Sequence, residues 1–385
     1  MKPKIRSSVS TVVHQNNVVE FFLSNTRRQV MVKVPNEKLV KLILTLDGSK
    51  SLEEISDEYQ LEANAKEAFL KFLKFLERRS VLVDASNTWE SSEYNRFRRV
   101  MNFLEDYSKS SEEKFAAWSH IRSSHVVIIG LGAVGTWIAF TLAQSGVKHF
   151  TFIDSDVVDI TNIHRQLGFG RGDVGHYKID VLERKLQELD PTIKVNKVYK
   201  FLQDNVLSKY LDGVDLVINC ADKPSVDTTS LWVGMSCMER HIPHIIAGGY
   251  NLHLSLIGQT ILPFESACVK CFEVELSKLN PIDTSNFKKL HIENRKIGSF
   301  GPMCSISASI ASMEAIKVLS KIIQPANLNR RGEFDIYSMN VNYVNIPKVP
   351  DCQWCGPNGI YRKGIENGNE RRASGVNSNN WCSNP

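Results

Sequence analysis

β-branched and aromatic residues crowd into two short runs near the start of the chain, residues 18–23 and 29–34, on either side of the polar stretch Ser24-Asn25-Thr26-Arg27-Arg28. That pattern predicts a hairpin. Pro35-Asn36 then precedes an apolar helix over 39–46, which Asp47-Gly48 ends. Ser51-Leu52-Glu53-Glu54 fits a capping box that opens a second short helix. Phe69, Leu70, Phe72, Leu73 and Leu76 fall at helical spacing within 65–79, and a short strand over 81–83 follows. Hairpin, three helices and edge strand make a small α/β module of winged-helix type, assigned to residues 1–88.

Residues 89–120 are polar and helical and carry Arg96, Arg98 and Arg99, as in a linker. From Ser124 the period changes to alternating strand and helix, with strands expected at 125–129, 150–153, 194–199, 216–219 and 244–247. Such alternation implies a mostly parallel sheet with helices on both faces. After Gly249 the apolar runs lie closer together, as in an antiparallel extension, so the whole sheet system is mixed. Residues 275–300 lack a period and read as a long mobile loop; 305–323 read as a strong helix. The second domain is assigned to 121–363, and the Asn-, Ser-, Gly- and Arg-rich residues 364–385 to a disordered tail.

Composition narrows the function. The 385 residues carry 47 Lys and Arg against 42 Asp and Glu, a formal charge of +5. That is too weak to argue for nucleic acid but suits an anionic ligand or acidic peptide. The helix expected at 65–79 has lysines interleaved with a wide apolar face and no dense basic patch. No apolar run reads as a membrane span, and the basic start lacks the apolar stretch of a signal peptide. The expected location is cytoplasmic. The eight cysteines are then expected as reduced thiols or metal ligands.

The run His125-Val126-Val127-Ile128-Ile129 leads directly into Gly130-Leu131-Gly132-Ala133-Val134-Gly135 and an apolar helix. Glycines so spaced allow a tight turn and let phosphates approach a helix N-terminus. Asp154 lies at the end of the next strand, where a carboxylate can hold ribose hydroxyls. This fingerprint alone does not separate ATP from NAD. The next block does. It contains Asp154, Asp156, Asn162, Arg165 and Gln166, then Gly175-His176-Tyr177-Lys178, and later Asn219-Cys220-Ala221-Asp222 at a strand end. In these motifs, over residues 93–356, the chain resembles the E1-like (ThiF/MoeB/HesA) adenylyltransferase family.

The resemblance implies a Rossmann-like adenylation domain that uses ATP and Mg²⁺ to activate a carboxylate as an acyl-adenylate. Attack of a carboxylate on the α-phosphate brings anions together, so fixed cations and a carboxylate-bound metal are needed. Arg165 and Lys178 match the family's phosphate ligands, Asp222 its magnesium-binding catalytic acid, and Asp154 its ribose ligand. Asn162 and Gln166 flank the phosphates, and Asp156 stands beside them. The segment 93–99 resembles the family's arginine segment, which reaches the γ-phosphate bound by the partner subunit. Arg99 is assigned that role, which implies a homodimer.

Cys268-Val269-Lys270-Cys271 and Cys352-Gln353-Trp354-Cys355 are two C-x-x-C knuckles. Four thiolates complete the tetrahedral shell of Zn²⁺ and leave no position open for substrate, so the site reads as structural. Of the other cysteines, Cys220 and Cys237 are expected to be buried and Cys382 lies in the tail. Cys304 precedes a helix whose N-terminus would lower a thiol pKa, and reads as a packed cysteine or a nucleophile.

Residues 43–54, I-L-T-L-D-G-S-K-S-L-E-E, resemble the PqqD-like peptide-recognition domains, with Ile43 where leucine is usual. Those domains bind a leader peptide as an added strand. The architecture looks like the peptide-modifying members of the E1-like family, the microcin C and pantocin types. It implies that a ribosomally made precursor peptide is the substrate, through its C-terminus or an acidic side chain. Two other readings compete: activation of a sulfur-carrier or ubiquitin-like protein at its C-terminal glycine, and a winged-helix repressor with an NAD-sensing domain. Residues 1–88 count against the first, and the Arg165, Lys178, Asp222 and cysteine sets against the second.

Overall fold

The computed structural model describes residues 1–86, 92–204, 206–247, 250–251, 254–279 and 298–362. The chain forms two compact units, Met1–Ser119 and the remainder from His120.

The first unit contains β1 (Pro3–Ile5), β2 (Val9–His14), β3 (Val18–Leu23), β4 (Arg28–Lys33), α1 (Glu37–Leu44), α2 (Leu52–Glu58), α3 (Ala63–Arg78), β5 (Leu82–Asp84) and α4 (Ser92–Glu105), and most of α5 (Ser111–Ser123). The expected hairpin is β3–β4, but β2 pairs antiparallel on the other side of β3, which becomes the central strand. β1 pairs with β5 in a separate two-stranded sheet. Val19, Phe21 and Leu23 of β3 are buried in one cluster with Val40, Leu42, Phe69, Leu73 and Leu76. The helix starts are set locally. Asn36 Oδ1 accepts from Leu39 N at 3.0 Å, and Ser51 and Glu54 form the expected capping box. β4 is an edge strand of this sheet, its outer side unpaired among the described residues, with Met31 exposed.

The expected linker is two helices, α4 and α5, whose first-unit residues pack into that unit. The Phe97 and Trp118 rings lie 4.8 Å apart. The buried Arg6 donates to the carbonyl oxygens of Glu105 and Ser108, the latter at 2.8 Å. These contacts join residues far apart in sequence, which is why polar composition alone reads as a linker.

The second unit continues with β6 (His125–Ile129), α6 (Ala133–Gln144), β7 (His149–Ile153), α7 (Lys178–Leu189), β8 (Lys194–Val198), β9 (Leu216–Asn219), α8 (Val226–Glu239), β10 (His244–Ile246), β11 (Tyr250–Asn251), β12 (Leu254–Ile257), β13 (Thr260–Ile261), α9 (Val269–Leu279), α10 (Gly301–Ser320), β14 (Arg330–Asp335) and β15 (Asn340–Asn345). The six-stranded sheet has the order β13-β10-β9-β6-β7-β8. All its pairs are parallel except β10–β13. The chain leaves β6 toward β7 and β8, then crosses to β9 on the other flank. This reversal opens a crevice above the carboxyl ends of β6 and β9, where ligands of open α/β sheets bind. A four-stranded antiparallel sheet, β11-β12-β14-β15, supplies the expected extension.

Two expectations need correction. Residues 275–279 are the last turn of α9 and not loop; 280–297 and the tail beyond 362 lie outside the described residues. Helix α10 also reaches the length and mean hydropathy of a membrane span. It is nonetheless a core helix, with 67% of that window buried inside the protein and Glu314 buried among its own partners. The Glu314 carboxylate accepts from Thr260 Oγ1, Ala326 N and Asn327 N.

His244 in β10 is fully buried, with Nδ1 3.1 Å from Ile242 O and Nε2 unpartnered. Burial lowers its pKa to about 4. The folded state therefore holds the neutral ring, while the unfolded chain takes up a proton near the ordinary value of 6.5. Its stabilising contribution is present above that value and lost as pH falls from 6.5 toward 4. Urea unfolding should show stability falling across that window by roughly 1–3 kcal/mol more in wild type than in His244→Phe.

Candidate active site and cysteine cluster

A cavity of about 520 Å³ opens at the carboxyl ends of β6, β7 and β9, lined by Ile129, Ile153 and Cys220 at the strand ends. Its wall includes Gly130, Gly132, Asp154, Asp156, Asn162, Arg165, Gln166, Lys178 and Asp222. Nine residues scattered over more than ninety positions in sequence thus meet at one place.

The glycine loop is shaped by close approach. Gly130 has φ +86°, and a Cβ there would lie 2.9 Å from Ala221 N. A Cβ on Gly135 would lie 2.0 Å from Gly130 O. Gly135 does not line the cavity; its missing side chain lets α6 start directly beneath the turn. Gly132, the N-cap of α6, supplies no side-chain cap and has open space where a side chain would stand. The first N–H groups of α6 are thus left for an anion.

Asp154 is buried at the end of β7. Its Oδ2 accepts from Leu131 N at 2.6 Å and its Oδ1 from Asp156 N at 2.7 Å. Burial pushes its carboxyl above the usual range, against the pull of Lys178 and these two donors. Lys178, at the start of α7, is buried too, and its Nζ lies 2.8 Å from Asp156 Oδ2. Pairing holds the ammonium at the cavity wall instead of letting it swing into solvent.

The Asp159–Gln166 segment is built by side-chain-to-backbone bonds. Asp159 Oδ1 accepts from Thr161 N at 2.8 Å, and Asn162 Oδ1 accepts from Asp159 N at 3.0 Å. Trp137 Nε1 anchors it by donating to Arg165 O at 3.1 Å. Asn162 therefore acts on the loop as well as facing the cavity. Gln166 is buried with Oε1 unpartnered. Asp222 follows β9 and is exposed.

An anionic nucleotide fits this site. An uncapped helix start and the Arg165 and Lys178 cations converge on one volume, where the orphaned Gln166 Oε1 can accept from a ligand O–H or N–H. Lys200, Phe201, Lys223 and Ser299 also line it, and the sequence motifs missed them. Each lies just beyond a strand end or beside a helix start, a position that could have flagged it. Arg99 is carried by the first unit, exposed on α4, and all the cavity's lining residues belong to the second.

Cys268, Cys271, Cys352 and Cys355 are brought together, all buried, with their sulfurs within 4.8 Å of one another. Cys268–Cys352 and Cys271–Cys355 are each 3.6 Å apart, and Cys268–Cys271 3.8 Å. Sulfurs at the corners of a tetrahedron around zinc, 2.3 Å from the centre, stand about 3.8 Å apart. Cys268 directly precedes α9 and Cys271 lies in its first turn, where the helix N-terminus favours thiolates. Val349 N and Trp354 N donate to Cys271 Sγ and Cys352 Sγ. Hydrogen bonds from Cys268 and Cys355 draw the Cys271 thiol far below its usual range, and the same contact with Cys271 pushes Cys268 far above it. Full ionisation of all four requires a cation, and the donor set suits zinc.

Cys237 is buried as expected, Cys220 is half-buried at the cavity wall, and Cys382 lies outside the described residues. Cys304 is buried in the first turn of α10, with Sγ 3.3 Å from Phe300 O.

The model of the ThiF family matches residues 107–354. The sulfur carrier protein ThiS adenylyltransferase of Escherichia coli is 27% identical over 264 residues, covering 69% of this chain and 96% of that protein. Among solved structures, E. coli MccB with ATP superposes with a TM-score of 0.69 at 22% identity, covering 92% of this chain and all of that one. The microcin C7 biosynthetic enzyme MccB in complex with N-formylated MccA gives 0.66 at 22% identity, again covering 92% and 100%.

Proposed function

This chain belongs to the ThiF family, and on that premise we propose that it activates a carboxylate of a ribosomally made peptide as an acyl-adenylate. It is an ATP-dependent adenylyltransferase of E1-like fold. The observation that carries the peptide reading is the reach of the fold similarity. The matched sulfur-carrier activator covers 69% of the chain. The structures of MccB that hold MccA, one of them with N-formylated MccA, cover 92%. The ThiF family model begins at residue 107, so the three-stranded sheet β2-β3-β4, with β4 at its edge, lies outside it.

In this reading the peptide carboxylate oxygen attacks the α-phosphorus, and the bond to the bridging oxygen of pyrophosphate breaks. The N–H groups at the start of α6, with Arg165 and Lys178, take up the phosphate charge. Asp154 holds the ribose, with Asn162 and Gln166 at the phosphates. Asp222 would hold Mg²⁺, which would offset charge developing on the leaving group. Arg99 reaches the site from a second copy of the chain, so the working unit is a homodimer. The four cysteines hold a structural zinc. The reaction takes place in the cytoplasm, on a peptide whose leader lies along β4 while its distal part enters the cavity.

An edge strand offers unpaired N–H and C=O groups to an extended peptide. Successive N–H groups of β4 point alternately toward β3 and away. Of Met31→Pro and Val32→Pro, one breaks the ladder and destabilises the unit. The other removes an outward donor and should keep the wild-type melting temperature. That second variant should bind labelled peptides, encoded by short reading frames beside the gene, about five- to tenfold more weakly by anisotropy. Equal binding would favour the competing reading, activation of a sulfur-carrier protein, which the 27% identity to the ThiS activator supports.

A further inference from the structure

Phe201 is the one aromatic side chain lining the cavity among the described residues. It is 52% exposed, while its neighbour Leu202 is 5% exposed. An apolar ring left half in water at the mouth of a polar cavity costs solvation unless a ligand covers it. Its place is fixed: it follows β8, whose Val198 O accepts from Asp154 N at 3.1 Å. Phe201 therefore stands on the ribose-binding flank, two strands away from the glycine loop after β6.

Lys223 stands on the opposite flank, next to Asp222 after β9. Its Nζ nevertheless lies over the Phe201 ring, 5.7 Å from the centroid. The contact crosses the carboxyl ends of β6 and β7 and bridges the cavity mouth. A lysine that served only the phosphates would be drawn toward α6, not toward the flank that holds the ribose.

We propose that Phe201 and Lys223 form a clamp for the purine base of the nucleotide, the base stacking on the Phe201 ring beneath the Lys223 ammonium. This rests on the ATP reading of the cavity. The ring is a flat apolar platform, and the ammonium supplies a charge attracted to π-faces, those of ring and base alike. Such a clamp recognises the presence of a heterocycle and leaves the phosphates to Arg165 and Lys178.

The test is calorimetric binding of ATP and of inorganic tripolyphosphate, each with Mg²⁺, to the full-length protein. Phe201→Ala should weaken ATP about tenfold or more and leave tripolyphosphate binding unchanged. Phe201→Trp should restore ATP binding. Lys223→Met should weaken ATP severalfold, and the double variant should lose less than the product of the two single losses. The single variants should melt at the wild-type temperature, since both side chains are exposed. Unchanged ATP binding in Phe201→Ala, or equal losses for ATP and tripolyphosphate, would overturn the clamp. Wild-type protein that binds neither ligand would overturn the ATP reading and the clamp with it.

Discussion

Lys178→Met and Asp222→Asn should each lower ATP–pyrophosphate exchange by about 100- to 1000-fold, the usual cost of removing one preorganised charge-stabilising group. The two should differ in how they fail. Lys178 is buried and paired to Asp156 at 2.8 Å, so its ammonium is already aimed when the nucleotide arrives. Removing it also strands the Asp156 carboxylate, whose side chain is 37% exposed, beside incoming phosphates. Lys178→Met should therefore weaken ATP binding as well as slow the chemical step. Asp222 is exposed and has no hydrogen-bond or ion-pair partner among the described residues to lose; Asp222→Asn should keep ATP binding and folding and lose the chemical step. Calorimetry with ATP, run beside the exchange assay, separates these outcomes. Asp222→Asn that exchanges at the wild-type rate would remove Asp222 from the catalytic set.

Cys268→Ser, or treatment with a strong chelator, should lower the melting temperature by about 10 °C or more, with loss of roughly one zinc per chain. Structural zinc sites contribute roughly 10 kcal/mol or more of binding free energy, comparable to the whole stability of an ordinary domain. Even a third of that shifts the melting temperature of a domain this size by about 10 °C. The damage should begin locally. Ile346, Cys352, Trp354 and Cys355 are buried in one cluster with Met238 and Phe272, so the cysteines staple the chain's last described segment onto α8 and α9. Limited proteolysis should first cut near residues 346–362. Elemental analysis of protein purified without chelator checks the metal; wild-type stability in the metal-free state would contradict a structural role.

The legible parts of this protein are those encoded locally. Gly130, Gly132 and Gly135 sit within six residues and mark the turn between β6 and α6 by their spacing alone, though of their close contacts only that of Gly135 with Gly130 O lies within the turn. The strand over 216–219 and the capping box at Ser51 and Glu54 are also short-range features, and the structure has them where the sequence puts them. The two knuckles are legible because each pair spans a single turn; that they meet across 84 residues is what a tetrahedral four-thiolate site would require. What escaped depends on distant partners. β1 and β2 have too little periodicity of their own and exist by pairing with β5 and β3. The segment 89–120 looks like a linker until Arg6 and Trp118 are seen packed against α4 and its following turn. Phe201 and Lys223 belong to no motif, and only the sheet order brings the β8 and β9 flanks to one mouth.

ATP–pyrophosphate exchange measured with candidate acceptors bears most directly on what this enzyme acts upon. Purified full-length protein would be assayed with ATP and Mg²⁺ alone, with synthetic peptides encoded by short reading frames flanking the gene, and with a ThiS-type sulfur carrier protein. Peptide adenylation requires exchange that appears with one of the peptides, is lost in Asp222→Asn, and is absent with the carrier protein. Exchange with the carrier protein and with none of the peptides would contradict it.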